Sequence, residues 1–136
     1  MFLTTLGATA LIELQRTESQ RAKEAELLFV GGQFRRAIKS YYSTTPAGKS
    51  QALPQSLDDL LEDTRFSVPV RHLRRLYADP MTGRPDWILV RSAGGILGIH
   101  SRSTDYTIKK KDFPAPNQEF QDKETYAEWA FVISLN

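Results

Sequence analysis

The chain has 136 residues, of which 40% are hydrophobic and 25% are charged, and its formal net charge is +2. This composition is typical of a folded chain of one or at most two domains, and it excludes wholesale disorder. The chain contains no cysteine, which excludes disulfides, thiolate catalysis and cysteine-based zinc sites. Its 18 Lys and Arg residues are nearly balanced by 16 Asp and Glu residues, so the charge alone does not indicate nucleic-acid binding.

The first 42 residues predict one long helix with three parts of different character. Proline is absent from this stretch. Residues 1–14 are apolar nearly all round (the apolar tip), and residues 15–26 are polar nearly all round (the polar shaft). In residues 27–42, apolar side chains recur at spacings of three and four, which places them on one face. A helix over residues 4–42 would be about 58 Å long. The remaining 94 residues form a ball with a radius of gyration of about 13 Å, so the helix is expected to project beyond it.

The apolar tip is expected to be buried in lipid or against other copies of the chain. Fourteen helical residues rise about 21 Å, which is less than the roughly 30 Å of a hydrocarbon core. The tip also lacks the pattern of a cleaved secretory signal. Charge pairs between copies are predicted from Glu18, Glu24 or Glu26 to Arg16, Arg21 or Lys23. The predicted assembly face consists of Leu3, Leu6, Leu11, Ile12 and Leu14.

Residues 43–136 predict a globular head that begins with a loop over 43–55. Ser56 and Asp59 have the spacing of a capping box, so a short helix ending near Asp63 is expected. The stretch LYADPMTGRPDW (76–87) then predicts a tight corner, in which the side chain of Asp79 caps a turn and Gly83 supplies a positive φ.

The rest of the head predicts three strands. Two of them are joined by Ala93-Gly94-Gly95, a hairpin signal, and the last is a run of alternating apolar residues. The predicted strands are Trp87–Ser92, Ile96–Ser101 and Tyr126–Leu135. A loop of about 24 residues before the last strand is typical of a functional or mobile segment.

This order of elements predicts an α+β fold in which a small antiparallel sheet packs on residues 27–42 of the helix. Gly31-Gly32 lie in this part, where they either kink the helix or let the sheet approach closely, and we favour the close approach. The residues expected to pack helix against sheet are Leu27, Val30, Phe34, Ile38, Tyr41, Trp87, Trp129 and Phe131.

Few residues indicate catalysis or a cofactor, and we expect a protein that is not an enzyme. His72 lies among arginines and His100 at a strand end, neither at a recognised catalytic spacing. Ser101, Ser103 and Asp105 alternate along one extended stretch and could direct three oxygens to one side. Calcium takes six to eight oxygen ligands. These three are therefore a weak calcium site, and a plain polar loop is favoured.

A second interpretation rests on the arginines that surround the corner. They could form a basic patch that docks an acidic protein partner, and the chain would then be a non-enzymatic binding module. Nucleic acid is not expected, because the patch lacks interleaved aromatic residues. The patch consists of Arg71, Arg74, Arg75 and Arg84, with Lys109–Lys111 later in the chain.

The order of these features resembles the pseudopilins, the type IV pilin-like subunits of bacterial type II secretion systems. The resemblance runs from about Leu11 to Val132 and is carried by FRRAIKSYY, LPQSLDDLL, DPMTGRPDW, GGILGIHSRS and YAEWAFV, most specifically by the second and third. It is greatest to the major, G-type pseudopilin. It implies a type IV pilin-like fold and a structural role in a filament that supports protein export across the periplasm.

The resemblance also implies partners, processing and a location. The partners would be other pseudopilin copies and secretion-system components, and the full-length helix would anchor the subunit in the inner membrane with its head in the periplasm. The chain as printed would be soluble. The family's basic leader and Gly-Phe-Thr-Leu-x-Glu motif, which a peptidase cuts and methylates, are absent from the printed sequence, so Met1 is expected to be a trimmed or mis-set start. The family's calcium loop is replaced by SRSTDYTIKKKDF.

Overall fold

A computed structural model of the chain describes the backbone of residues 2–135 and the side chains of residues 7–135. The fold is α+β, as predicted, with one long N-terminal helix packed on a three-stranded antiparallel sheet. In chain order the elements are α1 (Phe2–Ser43), α2 (Asp58–Leu61), β1 (Ile88–Ser92), β2 (Gly95–His100) and β3 (Phe131–Val132). Two short 3₁₀ helices lie at Gln118–Phe120 and Tyr126–Glu128.

Helix α1 has 42 residues, which corresponds to a length of about 63 Å. It continues through Gly31 and Gly32, and the two glycines have different surroundings. A Cβ atom at Gly31 would lie 2.4 Å from three atoms of the Phe131 ring, whereas at Gly32 it would meet only the end of the Arg36 side chain at 3.8 Å. Gly31 therefore lets β3 approach the helix closely.

The core lies between the C-terminal half of α1 and the sheet. All eight residues expected to pack helix against sheet are buried there. Phe34 meets Trp87 edge to face with ring centroids 5.3 Å apart. Phe120 stacks on Trp129 at 5.6 Å and meets Phe131 edge to face at 5.0 Å. Aromatic pairs in these geometries add to the stabilisation that burial provides.

The predicted hairpin is confirmed, with β1 and β2 antiparallel and joined at Ala93-Gly94. The register shifts at Val90 and Arg91, which is an irregularity of the β-bulge type. Gly95 begins β2 with a φ of 136°, a backbone angle that residues with a side chain rarely adopt. Strand β2 is central in the sheet, since its other edge pairs with β3.

The predicted third strand, Tyr126–Leu135, is largely wrong. Only Phe131–Val132 forms a strand, and Tyr126–Glu128 is a 3₁₀ helix. The carboxylate of Glu128 accepts hydrogen bonds from the backbone N–H groups of Glu124 and Thr125 at 2.7 and 3.2 Å, which closes the chain into a turn. The alternation of apolar residues arises from burial on both sides of this turn and not from one continuous ladder.

The predicted corner at 76–87 is confirmed and is tied to the end of β2. Asp79 is buried, and its carboxylate accepts hydrogen bonds from the backbone N–H of Met81 at 2.9 Å and from the hydroxyl of Ser101 at 2.5 Å. Gly83 has a φ of 76°. The indole N–H of Trp87 donates to the carbonyl oxygen of Tyr77 at 2.8 Å. The corner thereby brings Trp87 into the core as β1 begins.

Helix α2 is shorter than predicted. The carboxylate of Asp59 accepts from the backbone N–H of Ser56 at 3.2 Å, which is one half of the expected capping box. The helix ends at Leu61 and not near Asp63, because Asp63 pairs with Val70 in an isolated antiparallel bridge.

Candidate functional site

The part of α1 that extends beyond the head is the first candidate for a functional surface. Every residue from 7 to 19 is exposed, and we call this stretch the exposed segment. It carries three large apolar side chains, Leu11, Ile12 and Leu14, which are 60%, 50% and 55% exposed. These are three of the five residues of the predicted assembly face. The side chains of the other two, Leu3 and Leu6, lie outside the described residues.

The three apolar residues spread over about 160° of the helix surface. Successive helical residues are rotated by about 100°, so Leu14 lies about 60° from Leu11 on one side and Ile12 about 100° from it on the other. The seam between two paired helices is narrower than this arc. A two-fold dimer through one face of the helix would therefore leave part of the arc uncovered, and lipid or more than one neighbouring helix would cover it.

The exposed segment ends where a loop of the head is fixed to α1. Glu24 is only 3% exposed. Its carboxylate accepts hydrogen bonds from the backbone N–H groups of Ile108 at 2.6 Å and Lys109 at 3.2 Å, and from the Tyr126 hydroxyl at 2.7 Å. Gln20 donates to the Tyr126 hydroxyl and to the carbonyl oxygen of Tyr106, both at 2.8 Å.

Residues 15–26 are polar nearly all round and mostly exposed, yet Gln20 and Glu24 within them contact the head. Glu24 was expected to form a charge pair between copies, yet its carboxylate is used inside the molecule to hold the long loop. Burial, and then the hydrogen bond to Glu24, raise the pKa of Tyr126 well above its usual range. The phenol consequently stays protonated and donates to the carboxylate. Sequence reasoning missed this site because a glutamate within a polar helix carries no signal of burial.

The three predicted calcium ligands lie in a chain of small turns. Ser101 is fully buried, and its hydroxyl donates to Asp79 and accepts from the backbone N–H of Ser103 at 3.1 Å. The Ser103 hydroxyl in turn accepts from the backbone N–H of Asp105 at 3.2 Å, and Asp105 is exposed. No group of three or more His, Asp and Glu side chains among the described residues is placed to hold a metal ion.

The arginines of the predicted basic patch contact different local partners. Arg71 and Arg74 are exposed neighbours, and the guanidinium of Arg71 donates to the carbonyl oxygen of Arg74 at 3.1 Å. The guanidinium of Arg75 lies 4.8 Å from the centre of the Tyr77 ring. Arg84 lies 3.8 Å from the carboxylate of Asp86.

A serine, a histidine and an aspartate are aligned at the other end of α1. The Ser40 hydroxyl is 2.8 Å from Nδ1 of His72, and Nε2 of His72 is 2.8 Å from the carboxylate of Asp63. His72 lies among arginines in the sequence, and the structure places it against this acid. The same carboxylate forms an ion pair with Arg65 at 2.7 Å. The hydrogen bond from Arg65 keeps the pKa of Asp63 well below its usual range.

This alignment joins the C-terminal end of α1 to the segment that follows α2. The backbone N–H groups around Ser40 bond along the helix. Its neighbour Arg65 has a clear structural role, because it donates to the carbonyl oxygens of Tyr41 at 2.8 Å and Thr44 at 3.2 Å. A cation is favourable at a helix C-terminus, where carbonyl groups lack helical partners.

Comparisons with known proteins add no assignment, since the chain matches no family model, no curated protein and no solved structure. Within the described residues, no helix combines the length and the apolar character that crossing a membrane requires.

Proposed function

We propose that this chain is a structural subunit of a type II secretion pseudopilus, or of a related pilus-like filament, that assembles through the exposed segment of α1. The observation that carries the proposal is that one continuous helix supplies one side of the core of the head and also exposes three large apolar side chains to solvent. Burying a large apolar side chain contributes roughly 1.5–3 kcal/mol. Leu11, Ile12 and Leu14 therefore favour association with lipid or with other copies.

The width of this apolar arc, about 160° of the helix surface, favours more than one neighbouring helix. A subunit that packs among several copies in a filament meets this condition, because each copy contacts different faces of adjacent helices. The type IV pilin-like layout belongs to the same proposal: a long N-terminal helix, a small antiparallel sheet and a corner that leads into the first strand. The subunit would act by assembly and not by catalysis.

The proposed partners are other copies of the chain and further components of the secretion system. The proposed location is the inner membrane, reached through the N-terminal end of α1, with the head in the periplasm. The interpretation as a docking module for an acidic protein has less support, because Arg75 and Arg84 already contact Tyr77 and Asp86 within the chain.

Cysteine cross-linking tests the proposal directly, because the chain has no cysteine and any introduced thiol is unique. We expect Ile12→Cys or Leu14→Cys to form cross-linked dimers with a short bifunctional thiol reagent. The double variant is expected to form a ladder of higher oligomers, since the two positions point in nearly opposite directions. Val68→Cys is the matched control, because Val68 is 77% exposed and lies on the head.

Two outcomes would contradict the proposal. One is a double variant that stops at the dimer, which would indicate a single contact face on the helix. The other is cross-linking of Val68→Cys as efficient as that of the helix variants, which would place the contact on the head.

A further inference from the structure

A groove of about 640 Å³ runs between the exposed segment of α1 and the head. Ile12, Arg16 and Lys23 line its helix side, and Met81 and Tyr106 line the opposite side. Tyr106 is 75% exposed although it belongs to the loop fixed at Glu24. An exposed tyrosine and an exposed isoleucine thus face one open groove.

The groove changes in chemical character along its length. Ile12, Arg16 and Lys23 differ by four and eleven positions, which places them within about 40° of one another on the helix surface. Arg16 lies about 6 Å and Lys23 about 17 Å from Ile12 toward the head. The end nearest the tip is therefore apolar and the end nearest the head is cationic. Tyrosine suits the boundary between the two, since its ring is apolar and its hydroxyl is polar.

We propose that this groove binds the anionic headgroup of a phospholipid, with the phosphate between Arg16 and Lys23 and the acyl chains directed toward the N-terminal end of α1. The inference rests on the proposed function, which places that end of the helix in a bilayer. If the hydrocarbon boundary lies at Leu14, Arg16 is about 3 Å and Lys23 about 14 Å above it. The headgroup layer is about 6 Å thick, so Arg16 lies within it, and the long side chain of Lys23 extends toward it from the side of the head.

The charges in the groove favour an anion. Two cations line it, against one carboxylate, that of Asp105. Arg16 also lies 3.5 Å from the carboxylate of Glu13, but both side chains are largely exposed. Exposed ion pairs of this kind are weak, so a phosphate competes effectively for the guanidinium.

Vesicle sedimentation with the full chain tests this inference. Vesicles of phosphatidylcholine alone are compared with vesicles that also contain phosphatidylglycerol. We expect the chain to prefer the anionic vesicles, and R16Q/K23Q to lose that preference by on the order of 30-fold, since each cation near the surface contributes about 1 kcal/mol. R71Q/R74Q removes the same net charge from exposed positions on the head and is expected to keep the preference.

A fluorescent reporter tests the position of the groove relative to the lipid. Tyr106→Trp is expected to be quenched by brominated lipids, whereas Val68→Trp is not. Val68 lies beside the Asp63–Val70 bridge, near the C-terminal end of α1. The native Trp87 and Trp129 are buried and contribute a common background.

Several results would overturn the inference. One is that R16Q/K23Q keeps the preference for anionic vesicles, and another is that R16Q/K23Q and R71Q/R74Q lose this preference equally. A third is that the fluorescence of Tyr106→Trp is not quenched in chain that has sedimented with brominated vesicles. The fourth is that the wild-type chain binds neither kind of vesicle. An unquenched reporter in sedimented chain would indicate a second copy in the groove. The cross-linking ladder is measured without lipid, so failure of lipid binding is distinguishable from failure of assembly.

Discussion

The contact between Gly31 and Phe131 makes the sharpest test of how α1 meets the sheet. Replacing Gly31 by Ala would place a methyl group 2.4 Å from three atoms of the ring, about 1 Å closer than carbon atoms pack. The ring has little room to move, because it is fully buried, meets Phe120 at 5.0 Å and lies under the Arg35 guanidinium at 5.3 Å. The methyl group must therefore displace the strand or the helix.

Overpacking of this kind costs typically 1–3 kcal/mol, and this severe overlap should cost about 3 kcal/mol. The higher helix propensity of Ala relative to Gly stabilises the helix by about 1 kcal/mol. The net effect of Gly31→Ala should therefore be a destabilisation of about 2 kcal/mol. Gly32→Ala is the matched control. Its methyl group meets only the flexible end of Arg36 at 3.8 Å, and it should stabilise the protein by about 1 kcal/mol.

The two substitutions differ by one position and have opposite expected signs. Thermal unfolding followed by circular dichroism should separate their midpoints by about 12 °C, since a chain of this size shifts by about 4 °C per kcal/mol. Urea unfolding with an unchanged m-value would show that stability, and not the compactness of either state, has changed. Gly31→Ala combined with Phe131→Leu should recover part of the loss, because it removes the overlapping ring atoms. A Gly31→Ala midpoint equal to or above that of Gly32→Ala would refute the close approach.

Three further predictions concern the buried polar groups. Glu24→Gln should cost roughly 2–3 kcal/mol and accelerate amide exchange in the loop it holds, because an amide cannot accept all the hydrogen bonds made to the carboxylate. Glu26→Gln, at an exposed position, should change little. The pKa of Asp63 is lowered by folding, so its contribution is full above the unfolded-state value of about 3.9 and is lost as pH falls. The thermal midpoint should therefore fall more steeply below about pH 4 in wild type than in Asp63→Asn. Ser101→Ala should cost about 1–3 kcal/mol by removing a donor from the buried Asp79, and a calcium chelator should leave the wild-type midpoint unchanged.

Each of these has a clear counter-result. Equal amide exchange in the Glu24 and Glu26 variants would show that the loop is held by other contacts. Parallel acid transitions in wild type and Asp63→Asn would mean that the ion pair does not contribute to the pH dependence. A thermal midpoint of the wild-type chain that falls on addition of the chelator would support a calcium site at residues 101–105.

Elements that depend on periodicity or on turn chemistry were predictable from the sequence. Leu27, Val30, Phe34 and Ile38 recur at helical spacing, and this spacing alone identifies the buried face of α1. The corner was predictable because proline, glycine and aspartate restrict the backbone in known ways.

Features that depend on distant partners were not predictable. Glu24 is buried because backbone N–H groups 84 and 85 positions away are directed at it, and no local pattern records that. Trp129 and Phe131 alternate as in a strand, yet the capping contacts of Glu128 turn the chain before a long ladder can form. The order Ser40, Asp63 and His72 likewise shows no motif, since the alignment depends on how the segment between α2 and the corner folds over the end of α1.

The continuity of α1 fixes the angular phase between its two ends. Each residue adds about 100° of rotation and 1.5 Å of rise, so the direction in which Leu14 or Ile12 points is set by the face that packs in the core. Because the helix has no break between the exposed segment and the core, turning the head about the helix axis turns the apolar side chains by the same angle. Inserting one residue at position 18 would rotate those side chains by about 100° against the head and leave both surfaces chemically intact. The helix thus holds the head and the exposed apolar side chains at a fixed relative rotation. The geometry of any assembly that the helix enters is therefore set by the number of residues between the two surfaces as well as by residue type.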